Sequence, residues 1–302
     1  MVSLLPVAIV IVCYNGVADT LECLESLSCL TYPGVQIVVV DNGSSDGTAA
    51  RVRDAAYKNV HVVETSENLG FAGGNNIGVR FALDTLGAAY TFLLNNDTTV
   101  EPGLLEPLVV YAEANPNAGA VAPLMCYHGS PETVWSAGGA MNHRADSVLV
   151  GEGEPASNFS HPAPREHDFV VGCGMLIRRD VWDAVGLLDA RYFLYYEESD
   201  WCYRARKRGY ASIVVPSVRL WHKVSRSTGA ASELTLYYMR RNALLFAESH
   251  LPLAGRFAVL ADDLRLFAVW TLKGNAHRAC VLGWAVTDYL ARRFGKAARM
   301  FR

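Results

Sequence analysis

The sequence predicts an α/β protein built on a mostly parallel sheet with helices on both faces. Three observations carry this. Over the first 120 residues, short β-branched apolar runs alternate with segments of helical periodicity. The runs are apolar throughout instead of alternating, as strands covered on both faces are. Polar residues then gather where the runs end: Tyr14-Asn15, Asp41-Asn42-Gly43-Ser44, Asn68 and Asn95-Asn96-Asp97. That is the end of an open α/β sheet at which ligands bind.

Residues 7–13 make the first strand. The run lacks the positive start and small-residue cleavage site of a signal peptide, and Tyr14-Asn15-Gly16 ends it abruptly. Residues 19–29 set Leu21, Leu24 and Leu27 at helical spacing. A second strand follows at 37–40 and a helix at 46–57, opened by Ser44 and Ser45. The third strand is 61–63, with a helix at 72–86, and the fourth is 90–94, with a helix at 102–114. From 123 to 168 the pattern weakens into Gly, Pro, Ser and His, which reads as loops and short strands, a lid or recognition segment. Strand signal returns at 169–177, helices at 179–184 and 198–208, and a strand at 211–215. The chain from Ser232 on is helical with one apolar face. No linker is visible, so the organisation is a catalytic domain over 1–230 and a helical extension over 231–302.

Hydrophobic residues at 51% and charged residues at 19% describe a packed protein. A formal charge of −3 excludes a generally basic nucleic-acid binder. The charge is uneven: 11 Lys/Arg face five Asp/Glu from Ser232 onward, against 16 and 25 in the remainder. Seven cysteines without paired spacing give neither a disulfide framework nor a zinc site, and fit a reducing, cytoplasmic compartment. No run of about 18 apolar residues is free of charge. The nearest, 257–272, is broken by Asp262, Asp263 and Arg265.

Five clusters hold candidate chemistry. Asp97 ends a buried strand between amides, either as a helix cap or as the oxygen ligand of a hard cation whose shell a diphosphate completes. In Asp41-Asn-Gly-Ser-Ser-Asp46 the hydroxyls and Asp46 suffice for a turn and cap. Asp41 is then surplus and free to hold a ribose or a pyrimidine base. Asn68-Leu-Gly70-Phe-Ala-Gly73-Gly74-Asn75-Asn76-Ile-Gly78 permits close backbone approach to a phosphate or sugar. It is not a dinucleotide fingerprint, and there is no P-loop. Tyr196-Glu197-Glu198-Ser199-Asp200 sets three carboxylates after aromatics at a helix start. An Asp200–Arg204 pair accounts for one of them, but two adjacent glutamates beside aromatics suit a carboxyl raised into the range of a base. His222, with Lys223, Arg226 and the hydroxyls of Ser225, Ser227 and Thr228, has anion-binding character, or is a structural histidine.

Taken together these motifs resemble the inverting glycosyltransferases of family 2, of GT-A fold. The match runs in order over residues 5–230: Val12-Cys-Tyr-Asn15, the Asp41 run, the Asn68–Gly78 loop, Asn95-Asn96-Asp97, Gly172-Cys-Gly174 and Tyr196-Glu197-Glu198-Ser-Asp200-Trp, then His222. Within the family it looks most like rhamnosyltransferases of bacterial cell-surface glycans. The resemblance implies that Asp41, Cys13, Tyr14 and Asn15 hold the nucleotide, with Asn68, Gly70, Asn75 and Asn96 on the same pocket. Asp97, with Asn95 and His222, would bind Mg²⁺ or Mn²⁺. Glu198 would be the base, with Glu197 or Asp200 able to share the role. Two departures stand out: Asn95 replaces the first Asp of the usual DxD, and Glu198 stands where an Asp is usual.

The resemblance implies a dTDP- or UDP-linked sugar donor, dTDP-rhamnose first, and a glycan or polyprenyl-linked acceptor. The basic residues from Lys273 on, mixed with Trp284, Tyr289, Phe294 and Phe301, suit either an anionic membrane surface, the inner face of the plasma membrane, or a solvated helix face or oligomer contact. Two other readings remain: a sugar-phosphate nucleotidyltransferase, whose basic glycine-rich opening loop is absent after Val12, and a nucleotide-sugar-binding module without catalysis.

Overall fold

The computed structural model describes residues 5–159, 163–224, 232–299 and 301. Ser225, Arg226, Ser227 and Thr228 lie outside the described residues.

The first half is built as the alternation predicts. β1 (Val7–Cys13) lies between β2 (Gln36–Asp41) and β4 (Tyr90–Asn95), parallel to both, and β2 pairs in parallel with β3 (Val60–Glu64). The crossovers are α1 (Val17–Ser28), α2 (Thr48–Asp54) and α3 (Gly70–Arg80), which ends in a π-helical turn, Phe81–Thr85. β1 is buried almost throughout, which explains its unbroken apolar run. Two glycines let α3 lie close on the sheet. A Cβ at Gly78 would meet Val10 Cγ1 at 2.3 Å, and one at Gly74 would meet Val12 Cγ1 at 2.7 Å.

Beyond β4 the sheet is mixed, not parallel. After β5 (Thr98–Val100) and α4 (Leu105–Ala114) comes β6 (Ala118–Tyr127), then β7 (Ser130–Ser136), β8 (Gly139–Met141), β9 (Ser147–Leu149) and β10 (Arg165–His167). β11 (Gly174–Arg178) runs antiparallel between β4 and β6. α5 (Arg179–Val185) and α6 (Glu197–Arg206) lead to β12 (Ala211–His222), parallel to β6. The sheet order is β10-β12-β6-β11-β4-β1-β2-β3.

Two strands differ from the sequence expectation for one reason. β6 is ten residues long and nearly all buried, where no strand is expected over 118–122 and only loops or short strands from Pro123, and β12 continues seven residues past Val215. Proline cannot donate to a ladder. Here Pro123 pairs with Val215, and the register then jumps so that Leu124 faces Arg219. Residues 216–218, which begin with Pro216, bulge out opposite that step. His222 therefore ends a strand and does not follow a turn.

The extension is α7 (Glu233–His250), α8 (Leu253–Leu272) and α9 (Ala276–Leu290), packed on one another. Ser232 caps α7, its hydroxyl accepting from the Thr235 amide at 3.1 Å. The aromatic side chains after Lys273 face the protein. Tyr289 donates to Glu248, Phe301 packs on Tyr237, and Trp284 lies under Arg299. Arg292, Arg293 and Arg299 pair with Glu248 and Asp288. Of the expected membrane face, these aromatic and arginine side chains are thus engaged in the fold, while Lys273, Arg278 and Lys296 stay exposed. α7 buries Tyr237, Tyr238 and Phe246 against Tyr192, Phe193 and Tyr196 of the loop before α6. Each such side chain contributes roughly 1.5–3 kcal/mol of burial.

Candidate active site

The ends of β1, β2 and β4 and the start of α6 come together at one end of the sheet. Asn15, in a left-handed conformation (φ 52°), ties the first two ends. Its amide donates to Ser44 Oγ at 3.0 Å and its Oδ1 accepts from the Ser45 amide at 2.8 Å. Tyr14 is 48% exposed on this rim. Cys13 is buried, and burial, then the nearby Asp41 carboxylate, pushes its thiol up to about 12. It offers a pocket only its backbone.

Asp41 is not surplus. Its Oδ1 accepts from the Ser44 amide at 2.8 Å and its Oδ2 from the Ala49 amide at 2.9 Å, so it satisfies the turn and the first turn of α2. Asp46 takes the Thr48 amide at 3.0 Å and the Val17 amide at 3.3 Å.

The glycine-rich loop also serves the fold. Asn42 accepts from the Leu69 amide at 2.9 Å and donates to the Gly70 carbonyl at 3.0 Å, while Asn68 accepts from the Gly70 amide at 2.8 Å. Gly70 has φ +74°, and a Cβ there would sit 2.3 Å from the Phe193 carbonyl oxygen. That oxygen accepts from the Phe71 amide at 2.7 Å, so the α3 N-terminus receives a backbone carbonyl where a phosphate was expected. Asn75 bonds the Phe71 carbonyl within its own helix, and Asn76 bonds both backbone groups of Leu188.

At the end of β4 three residues gather as the motif implies, with different roles. Asp97 Oδ1 lies 3.0 Å from His222 Nε2. The Lys223 amide fixes the Asp97 carbonyl at 3.0 Å. Asn95 Nδ2 lies 3.3 Å from the same Nε2, presenting a donor, which does not ligate a metal. Asn96 turns to α1, donating to Thr20 Oγ1 at 3.0 Å. Lys223 brings no free positive charge, because Asp19 and Glu22 each meet its Nζ at 2.6 Å.

The donor set at Asp97 and His222 fits a divalent cation. One ring nitrogen faces an acceptor and a donor together and cannot satisfy both, while Nδ1 is buried with no hydrogen-bond partner among the described residues. A cation on Asp97 Oδ1 and His222 Nε2 would resolve the conflict at Nε2, with the proton on Nδ1. Among the described residues no group of three His, Cys, Asp or Glu could hold a metal. A cation here would take its remaining ligands from a diphosphate and water.

The acidic loop is unlike the rest. Phe193, Tyr195 and Tyr196 have φ of 67, 68 and 74° without being glycine. Each such residue costs about 1–3 kcal/mol. Two buried residues of α7 hold the loop, and the sequence reading missed both. Asn242 donates to the carbonyls of Tyr192, Leu194 and Tyr195 at 2.8–2.9 Å. Arg241, fully buried, reaches the carbonyls of Arg191 at 3.1 Å and Tyr192 at 2.9 Å, with the rings of Tyr237 and Tyr238 beside it. An adjacent Arg-Asn in a helix carries no signal by itself.

The three carboxylates separate. Asp200 is engaged, with Arg204 Nε and His250 Nε2 both at 2.7 Å. Burial alone would raise it, but these partners hold it below the usual range. Glu197 is buried with Oε2 unpartnered among the described residues. Burial, then the adjacent Glu198, pushes its carboxyl far up, so of the two it keeps its proton. Glu198 is half-buried, and burial raises it to about 7. Gly172, whose added Cβ would lie 3.7 Å from Glu198 Cβ, precedes Cys173, whose carbonyl accepts from the Asn95 amide at 3.4 Å. The turn at 172–173 thus joins Glu198 to the Asp97 end. A shallow cleft lined by Glu166, His167, Asp168 and Arg206 lies at the β10 edge and includes none of the expected site residues.

Fold and site together define a glycosyltransferase of the GT-A type. The structure is similar to that of GalNAc-T7 with UDP, GalNAc and Mn²⁺ (TM-score 0.64, 18% identity, 82% of this chain), though it spans about half that protein, 48%. It is also similar to the mannosyltransferase PcManGT of Pyrobaculum calidifontis in complex with GDP-Man and Mn²⁺ (TM-score 0.59, 18% identity, 95% of this chain and 87% of that one). Residues 8–186 match the model of glycosyl transferase family 2, and the chain belongs to that family. Among curated relatives, the N-acetylglucosaminyl-diphospho-decaprenol L-rhamnosyltransferase of Mycobacterium tuberculosis is 29% identical over 298 residues, 91% of each chain. The dTDP-rhamnosyl transferase RfbF of Shigella flexneri is 24% identical over 253 residues, 81% of each.

Proposed function

We propose that this chain is a metal-dependent, inverting rhamnosyltransferase of the cytoplasmic side of the membrane. It moves a sugar from a nucleotide diphosphate, dTDP-rhamnose first, to a hydroxyl of a polyprenyl-linked glycan. The observation that carries the reading is one juxtaposition. The end of β4, beside the Asp97–His222 pair, and the half-buried Glu198 both approach the turn at 172–173, where the carboxylates of Asp97 and Glu198 both act on Cys173. Tyr14, Asn15 and the Asp41 turn would receive the nucleotide. Relatives named for decaprenol-linked and dTDP-linked rhamnosyl transfer support the donor and acceptor classes.

A Mg²⁺ or Mn²⁺ ion held by Asp97 and His222 would neutralise charge on the departing diphosphate. Glu198 removes the acceptor proton, since a carboxyl near 7 is ionised often enough and basic enough to do so at neutral pH. The acceptor oxygen bonds to the anomeric carbon while the bond to the diphosphate breaks with its electron pair. One displacement from the opposite face inverts that carbon. Glu197, holding its proton, leaves Glu198 the single negative charge of the pair.

A thermal-shift panel of dTDP, UDP and GDP, each with Mn²⁺ or with EDTA, tests the reading. A Mn²⁺-dependent shift with dTDP is expected, and Asp97→Asn should abolish its Mn²⁺ dependence. The absence of a shift with every nucleotide, or a dTDP shift indifferent to EDTA, would overturn it.

A further inference from the structure

α8 is apolar on two sides and the fold covers one. Its inner side meets α7 and α9 through Val259 and through Asp263, which pairs with Arg240. Its outer side shows Leu253, Phe257, Leu264 and Leu272, exposed by 67, 68, 63 and 87%. With the exposed Ala261 and Ala268 they succeed one another every three or four residues, so they form one stripe. A stripe about 28 Å long at this exposure marks an interaction surface.

Charge selects the occupant. Both acids of α8 turn inward, Asp263 at 1% and Asp262 at 12% side-chain exposure, and both meet Arg240. The cations stay outside: Arg256 and Arg265 on the helix, Lys273 at its end and Arg278 on α9. Arg265 has Asp262 at 2.9 Å, while Arg256 and Lys273 flank the two ends of the stripe. A second copy of this surface would bring cations against cations, whereas an anionic lipid surface complements both the stripe and its charges. Among the described residues no helix is long and apolar enough to cross a membrane, so α8 is suited to lie in an interface.

We propose that α8 docks this protein on an anionic phospholipid bilayer, with the stripe in the acyl boundary and Arg256 and Lys273 among the headgroups. This deepens, and rests on, the reading of a lipid-linked acceptor. α7, against which α8 packs, grips the loop that leads into Glu198 at the start of α6, so the bilayer would lie one helix away from the base.

Co-sedimentation of the full chain with vesicles tests it, using phosphatidylcholine with and without phosphatidylglycerol. The wild type should bind the phosphatidylglycerol vesicles, less at high salt. The exposed double variant Phe257→Ser/Leu264→Ser should reduce partitioning about ten-fold. Arg256→Gln/Lys273→Gln should remove the preference for phosphatidylglycerol. Wild-type protein left in the supernatant, or unchanged partitioning of the serine variant, would overturn the proposal. So would a solution dimer that the serine variant dissociates, because a second copy would then cover the stripe. The Mn²⁺-dependent dTDP shift, measured without vesicles, should be unchanged in both variants. Its failure in a wild type that still binds vesicles would sink the donor reading alone.

Discussion

On the rim made by β1, β2 and α3, the carboxylate and amide side chains are engaged in the fold. Asp41 holds two amides, Asn42 and Asn68 hold the turn at 69–70, and Asn15 holds the Ser44–Ser45 turn. The acidic loop before α6 is built the other way. It has three non-glycine residues in the left-handed region, and the helix it opens begins with an unpartnered buried carboxylate oxygen on Glu197 and a Glu198 raised to about 7. A surface that binds can be satisfied before its ligand arrives. A group that must take a proton cannot be, because partners that stabilise the carboxylate lower its pKa. Asp200, two residues from Glu198, shows this: with Arg204 and His250 at 2.7 Å it lies below the usual range. The unfavourable geometry is held from outside, by α7.

The largest expected effect separates the two regions directly. Glu198→Gln should reduce kcat by about 10²–10⁴-fold while dTDP binding stays near wild type. In the wild type, kcat/KM should rise with pH through a limb near 7, as Glu198 loses its proton. The variant's residual activity should lack that limb. Near-normal transfer by Glu198→Gln would leave the strained loop a structural feature and place the base elsewhere.

A smaller effect should come from α7. Asn242→Ala removes the donor from the Leu194 and Tyr195 carbonyls, while Arg241 still holds Tyr192, at a cost of about 1–3 kcal/mol of stability. It should lower kcat about ten-fold with the donor KM unchanged, because the loop moves and the rim does not. Arg241→Lys keeps the charge but loses the fork that spans Arg191, Tyr192 and Gly295, and should fall between wild type and Asn242→Ala. Equal changes in kcat and KM would mean that α7 stabilises the whole site instead of positioning the base.

Much of this was legible in the residues. The four parallel strands follow from runs apolar on both faces, and the acidic pair from two glutamates that a helix terminus does not require. What was hidden has physical causes. β6 and the end of β12 were obscured by prolines that a bulge accommodates. The glycines of the Asn68–Gly78 loop look alike in sequence whether they face a phosphate, as expected, or β1 and the Phe193 carbonyl, as found. Asp41 was misread because the amides it accepts, from Ser44 and Ala49, belong to a turn whose other polar residues seemed sufficient. Arg241 and Asn242 act across about 50 residues of sequence on backbone carbonyls, which leave no trace in side-chain pattern.

The smallest effect concerns stability and sharpens the contrast from the other side. Burial, then Glu198, raises the Glu197 carboxyl well above its unfolded value. The folded protein therefore binds more protons at this site than the unfolded chain once pH exceeds the unfolded value of about 4.5. Its contribution to stability is complete below that pH and is lost as pH rises toward the folded value. Glu197→Gln cannot ionise, so it escapes that loss. The amide adds its own buried donors, which makes the pH dependence of the difference the readout. The Tm of Glu197→Gln relative to wild type should rise steadily between pH 5 and pH 8, by roughly 2 °C for each kcal/mol that ionisation costs the wild type. A difference independent of pH would mean that Glu197 ionises freely in the folded protein, and the pair would then carry two charges instead of one.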